Sequence, residues 1–203
     1  MIGSFKQFLS ESQSLGTMTV YHGSGHVITN FDRAKGNQRT LDTRLGVHFA
    51  KAKGIAEVFA DHSKYLYTVE IPSGGWSRVP NLPAGDAFSI TYYVYQFIER
   101  RDQKLWIRIS EELADYAWGP NYAKGKITCD RLRREADYVF DYMFDEDSRF
   151  VDEICDRFIS LHGGTGLIYK NTWETEVNSN DPTCYILFDP SKAKILEMKR
   201  VHG

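Results

Sequence analysis

The spacing of apolar and polar residues predicts strands at both ends of the chain and helices in its middle. Three early strands are predicted at TMTVYHGS, GVHFA and YLYTVEIP, where apolar, aromatic and β-branched residues cluster. The segment KAKGIAEVFADHS has helical spacing, and residues 28–45 are polar enough to predict an exposed loop. Late strands are predicted at GLIYKNTWE, CYILFDP and SKAKILEMKRV.

Between these strands the periodicity changes to that of amphipathic helices. Helices are predicted at Phe88–Arg101, Leu105–Trp118, Asp130–Phe144 and Phe150–Leu161. The third has apolar residues on one face, as a helix facing a core does: Leu132, Ala136, Val139, Phe140 and Met143. Strands on both sides of a helical insertion, at about residues 87–161, indicate the α+β class with one mixed or split sheet.

Composition and charge narrow the class of protein further. The 203 residues are 42% apolar and carry a formal net charge of −2, which excludes a mainly disordered chain. This balance argues against a protein that coats nucleic acid or an anionic membrane, and the apolar runs are too short for a membrane span. The scattered Cys129, Cys155 and Cys184 form neither a disulfide framework nor a zinc motif, so we expect a reducing compartment and no metal.

Two early segments place reactive or aromatic side chains beside predicted strands. His22 ends a strand and is followed by Gly23, which lets another group approach the backbone closely. His48 lies in a strand among apolar neighbours, and Phe59 returns on the next helix toward the same region. The structural alternatives are a hydrogen-bonded histidine at a turn and ordinary aromatic core packing.

A third segment carries two carboxylates. Glu174 and Glu176 follow the GLIYKN strand and precede a turn-rich stretch, where a carboxylate reaches the edge of a cleft. Surface carboxylates at turns are common, so this feature by itself also has a plain structural alternative.

Taken together, VYHGS, GVHFA with its trailing FA, GLIYKN-x-x-E and YILFDPSKAKI resemble the ADP-ribosyltransferase fold. The likeness spans residues from about Val20 to Ile195. It is closest to the domains of phage and polyvalent proteins, which are distantly similar to poly(ADP-ribose) polymerases and diphtheria-type toxins. It implies a split β-sheet core and an enzyme that transfers ADP-ribose from NAD, its substrate, to a host protein or nucleic acid.

The resemblance also implies roles for individual residues. His22 takes the place that bonds an NAD ribose hydroxyl, the Gly23 backbone holds the carboxamide, and Ser24 occupies the family's Ser/Thr position. His48 stands where the family has a tyrosine that stacks on nicotinamide, with Phe59 as the partner aromatic. An imidazole covers less area than a phenol ring and titrates near neutral pH.

The catalytic carboxylate is assigned to Glu174, with Glu176 in reserve. Its role is to bind the 2′-hydroxyl, stabilise the cationic sugar and accept a proton from the nucleophile. Poly(ADP-ribose) polymerases carry this glutamate just before the last-motif strand, where the present chain has Thr183 and Cys184.

The N-terminal segment MIGSFKQFLSE resembles capsid-targeting segments of internal proteins of T-even-like phages, which a prohead protease cleaves. Leu9, Ser10 and Glu11 fit the cleavage pattern, so residues 1–16 are expected to form a leader cut after Glu11. Residues 17–203 then form the transferase domain. A helix that docks on the domain is the alternative. The two resemblances imply an effector that lies inside the virion and then enters the host cytoplasm; without the leader, a cytoplasmic protein is expected.

Two other functions stay open. His48 in place of tyrosine and Cys184 before the last-motif strand favour a catalytically degenerate member that binds a nucleotide or a host protein. An internal capsid protein without a ligand is the third possibility.

Overall fold

The structure is a computed structural model that describes residues 16–35, 40–61, 64–83, 85–119, 127–140, 148–171 and 181–201. Seven strands form one mixed sheet in the order β4-β5-β6-β2-β1-β3-β7. The strands are β1 (Thr17–Ser24), β2 (Val47–Ala50), β3 (Tyr65–Pro72), β4 (Trp76–Arg78), β5 (Gly166–Lys170), β6 (Thr183–Leu187) and β7 (Lys194–Arg200). Strands β4 and β5 are parallel, and all the other neighbours are antiparallel.

Six α-helices lie within the described ranges. They are α1 (Leu41–Leu45), α2 (Lys53–Asp61), α3 (Asp86–Arg101), α4 (Gln103–Trp118), α5 (Cys129–Glu135) and α6 (Ser148–His162). Four of them separate β4 from β5, as the predicted insertion requires, and the α+β class is confirmed. None of the helices described is both long and apolar enough to cross a membrane.

The segment 28–45 contains a helix at its end, so the prediction of a loop throughout was wrong there. Leu41 and Leu45 are four residues apart, and both are buried in the helical core, which turns a polar-looking stretch into α1. Thr40 precedes the helix, and its N–H donates to Thr43 Oγ1 at 3.3 Å. The two leucines were too few to outweigh the polar residues around them.

The third predicted helix also ends earlier than its apolar pattern indicates. Helix α5 stops at Glu135, and a 3₁₀ helix at Asp137–Phe140 follows it. Val139 and Phe140 are nevertheless buried. The pattern therefore identified the residues that face the core, although the chain changes helix type between them.

The sheet has two differently covered faces. One face packs on the helices, with Ala50, Leu66, Leu167, Tyr169 and Ile186 in the larger core. The other face forms a smaller core that loops and aromatic side chains cover. Its buried members are Val20, Phe49, Tyr67, Val69, Ile71, Tyr185 and Leu187. Because strand side chains alternate between faces, His22 on β1 and His48 on β2 each face one core or the other.

Candidate functional site

His22 lies near the end of β1, on the loop-covered face of the sheet. Its ring centroid is 5.2 Å from that of Phe31, 5.7 Å from Phe49 and 6.3 Å from Tyr67. Its Nδ1 is 2.8 Å from the backbone carbonyl oxygen of His48 on the neighbouring strand β2. The local sequence produces this arrangement because Val20 and His22 share one face of β1, beside Val69 and Tyr67 of β3.

The carbonyl partner determines which nitrogen of His22 carries the proton. A carbonyl oxygen only accepts, so Nδ1 is the protonated donor and Nε2 of the neutral ring keeps a lone pair. Burial is the largest cause that lowers the pKa of His22 from its usual value of 6.5, and the hydrogen bond to His48 opposes this effect. His22 is therefore a neutral imidazole at neutral pH, and its Nε2 can accept a hydrogen bond.

This lowered pKa predicts how acid affects stability. At a pH below 6.5 the unfolded chain protonates His22, whereas the folded chain does so only at its lower pKa. The His22 contribution to the free energy of unfolding is present above pH 6.5 and is lost as the pH falls below that value. Burial also lowers the pKa of His162, so this residue changes the stability with pH in the same direction.

Urea unfolding at about pH 7.5 and about pH 5.5 checks the prediction in wild type and His22→Gln. We expect acid to remove more unfolding free energy from wild type than from His22→Gln. The exposed His26 provides the matched control, since His26→Gln should behave as wild type. Equal losses in all three proteins would contradict the lowered pKa.

His48 has a different environment, on the helix-covered face of the sheet. Its Nδ1 lies 3.0 Å from the hydroxyl of Tyr169 on β5, and its Nε2 lies 3.0 Å from the backbone carbonyl oxygen of Asp42 in α1. Because that carbonyl accepts, Nε2 is the donor and Nδ1 accepts from the tyrosine. Both ring nitrogens therefore have partners within the protein.

The two motif histidines meet through the backbone of one and the ring of the other. The His48 carbonyl fixes the orientation of His22, but the two rings lie on opposite faces of the sheet. Phe49, which follows His48, lies on the same face as His22. A stacking role for His48 on the ligand that His22 is predicted to bind stays a prediction, and the structure does not bring the two rings together.

The sequence did not identify a carboxylate near His48, that of Asp86. Asp86 is the first residue of α3 and is partly buried. Burial raises the pKa of its carboxyl, the neighbouring Asp42 adds to the rise, and backbone N–H groups and His48 oppose it. An acidic residue directly after a glycine, at the start of a helix, is the signal that marks Asp86 in the sequence.

A cleft of about 580 Å³ opens between the segment after β1 and the segment after β6. One wall is residues 30–33, including Phe31, and the other includes Phe188, Asp189, Pro190, Ser191 and Ala193. Arg33 pairs with Asp156 of α6, and Asp189 accepts from Ser191, both from its backbone N–H (3.1 Å) and from its Oγ (2.6 Å). Phe31 both lines the cleft and contacts His22, so it connects the two features.

The remaining predicted site residues are placed as follows. Gly23 and Ser24 complete β1, opposite Leu66 and Tyr65, and Ser24 Oγ accepts from the His26 N–H at 3.2 Å. Phe59 lies in α2, but its side chain is outside the described part. Glu174, Glu176 and the leader through residue 15, with Glu11, are also outside the described residues.

Comparison with known proteins adds little to this geometry. The described residues form an α+β fold with a seven-stranded mixed sheet. No protein-family model and no curated protein matches the chain. Among solved structures, an anti-CRISPR protein is similar at 12% identity, with 89% of this chain and 96% of that chain covered. Its TM-score is 0.34, which is too low to support an inference about fold or function.

Proposed function

We propose that the chain is a mono-ADP-ribosyltransferase that moves ADP-ribose from NAD to a host macromolecule. The observation that carries the proposal is the adjacency of the four motif-bearing segments. VYHGS lies in β1, VHFA in β2, GLIYK in β5 and YIL in β6, and these strands are consecutive neighbours in the order β5-β6-β2-β1. Segments that build one site have to meet, and these four come from two distant parts of the chain, β1 with β2 and β5 with β6.

The chemistry asks for groups that position NAD and stabilise a positive charge on the ribose. The bond between nicotinamide and the ribose C1′ breaks, and nicotinamide leaves with the bonding electrons. A nucleophilic atom of the acceptor bonds to C1′ and gives its proton to a base. His22 Nε2 suits the first need because it is a fixed acceptor for a ribose hydroxyl, and Gly23 beside it leaves the backbone open.

The proposed catalytic carboxylate lies, in the sequence, in the connection between β5 and β6. The described ends of this connection adjoin the end of β2. The Asn171 N–H donates to the Pro182 carbonyl at 2.9 Å, and Lys51 Nζ pairs with Asp181 at 2.9 Å. Within the connection, Glu174 is proposed as the carboxylate that stabilises the cationic sugar and accepts the proton. The split sheet of the family and the packaging of the protein in a phage capsid are parts of the same proposal.

The test is incubation of the purified protein with NAD and a host lysate. We expect nicotinamide to be released and one acceptor to gain the mass of one ADP-ribose. Glu174→Ala should suppress both signals, while the exposed Glu197→Ala on β7 should leave them unchanged. If wild type gives neither signal, the transferase proposal fails, and a fully active Glu174→Ala removes that residue assignment alone.

Two observations favour a second candidate, a catalytically degenerate member that binds a nucleotide or a host protein. His48 replaces the stacking tyrosine and has both nitrogens bonded within the protein, and Cys184 is buried where polymerases carry their glutamate. Calorimetric binding of NAD without nicotinamide release over hours would support this candidate. No NAD binding, with many copies in virions, would instead indicate an internal capsid protein.

The packaging part of the proposal has its own test. Mass spectrometry of mature phage particles should find the protein with its N-terminus at residue 12. Particles that lack the protein, or that hold it uncut at Glu11, would remove this part while leaving the transferase assay unaffected.

A further inference from the structure

We infer that Phe31 supplies the aromatic surface on which the flat heterocycle of a nucleotide stacks in the cleft beside His22. The ligand class rests on the proposed function. The assignment of Phe31 rests on the geometry of the cleft, and on the face of the sheet to which each aromatic ring belongs.

Phe31 is fixed in position by the rings beneath it. Its centroid lies 5.2 Å from His22 and 5.1 Å from Phe49, in edge-to-face contacts with interplanar angles of 84° and 78°, and 6.3 Å from Tyr67. Phe31 is nevertheless only partly buried, and it lines the cleft. A ring that is held on one side and accessible on the other loses little freedom when a ligand stacks on it.

The cleft has both kinds of surface that a nucleoside needs. Its volume of about 580 Å³ falls within the range of small-molecule sites. Phe31, Phe188 and Pro190 give apolar surface for a flat ring, while the exposed amide of Asn30 and the hydroxyl of Ser191 are polar groups for a sugar. Arg33 lines the same cleft, although Asp156 already pairs with it.

The alternative aromatic partner, His48, is excluded from this cleft by its position. Its ring lies on the opposite face of the sheet from His22 and Phe31, and Tyr169 and the Asp42 backbone hold both of its nitrogens. On the His22 face, Phe31 combines direct contact with His22 and access to a cleft. Phe49 also contacts His22 but is only 2% exposed.

The test measures binding with two fragments of NAD, ADP-ribose and nicotinamide mononucleotide, by calorimetry. Phe31→Leu removes the ring but keeps an apolar side chain, and Phe31→Tyr keeps the ring. We expect Phe31→Leu to raise the Kd of one fragment about fivefold, since a stacked ring contributes on the order of 1 kcal/mol. Phe31→Tyr should stay within about twofold of wild type. The fragment that is affected identifies the ring, purine or pyridine, that stacks.

Phe97→Leu is the matched control, because Phe97 is also partly buried and makes an edge-to-face contact, with Phe158, on the other face of the sheet. It should leave both Kd values within about twofold of wild type. If Phe31→Leu does not fold, as judged by its melting curve, Phe31→Met replaces it with a side chain of closer volume.

Each outcome separates this inference from the proposed function. Unchanged Kd values in Phe31→Leu overturn the inference, and so does a wild type that binds neither fragment. Weakened binding in Phe31→Leu, in a protein that transfers no ADP-ribose, supports the stacking site and overturns the transferase. If the protein transfers ADP-ribose and Phe31→Leu binds both fragments as wild type does, the transferase is supported and the stacking site is overturned.

Discussion

Under the proposed function, replacing His22 with alanine is expected to lower the rate of ADP-ribose transfer at least about 100-fold. The ring is held in one tautomer by the His48 carbonyl, so its Nε2 presents a lone pair in a fixed direction. The loss of that acceptor leaves the ribose hydroxyl without its partner, and a small misplacement of the reacting carbon costs about two orders of magnitude in rate. The measurement is nicotinamide release under saturating NAD.

The control for this prediction is four residues away. His26 is exposed, and its backbone makes its hydrogen bonds with Ser24 and Tyr67, so His26→Ala should transfer ADP-ribose at the wild-type rate. His22→Ala also leaves a small cavity beside Phe31, so both variants are assayed well below their melting temperatures. A His22→Ala protein that is folded and fully active would remove His22 from the site.

The second large effect is expected on stability, from Gly166→Ala at the start of β5. A Cβ built on Gly166 would lie 1.9 Å from the carbonyl oxygen of Ile186 on β6 and 2.7 Å from the ring of Trp76 on β4. Gly166 lies between two paired strands, so the clash can be relieved only by moving the sheet. We expect a loss of about 3 kcal/mol of unfolding free energy, and a melting temperature lower by about 6–12 °C.

Gly16→Ala is the matched control, because among the described residues its Cβ would meet only the Ser73 hydroxyl, at 3.3 Å, in an exposed position. Its unfolding free energy should stay within about 0.5 kcal/mol of wild type. Both variants are measured by urea and thermal unfolding. A Gly166→Ala protein as stable as Gly16→Ala would mean that β5 and β6 do not pair as closely as described.

This close approach gives a structural meaning to two glycines of the sequence motifs. Gly166 begins GLIYKN and Gly46 begins GVHFA, and both lie against consecutive carbonyls of the strand between them. A Cβ on Gly46 would be 2.2 Å from the carbonyl oxygen of Leu187. A Cβ on Gly166 would be 1.9 Å from the carbonyl oxygen of Ile186. The motif glycines therefore have a packing role in bringing β5 and β2 onto β6, whatever ligand the site takes.

The sequence indicated some residues of the candidate site and missed others. His22 could be singled out because a histidine before a glycine ends a strongly β-prone run. Phe31 could not be singled out, because it lies in a polar segment. That this segment covers the smaller core depends on its contacts with β1, β2 and β3. Asp86 was missed for a similar reason, since its altered pKa comes mainly from burial, which one sequence does not show.

The sequence by itself determined the α+β class, most strand and helix positions, and which residues of each element are apolar enough to be buried. These properties depend on local spacing, which the chain carries from residue to residue. Only the tertiary structure decided that the rings of His22 and His48 lie on opposite faces of the sheet. Local alternation gives each strand two faces, but strand register and the placement of the helices decide which face becomes the large core.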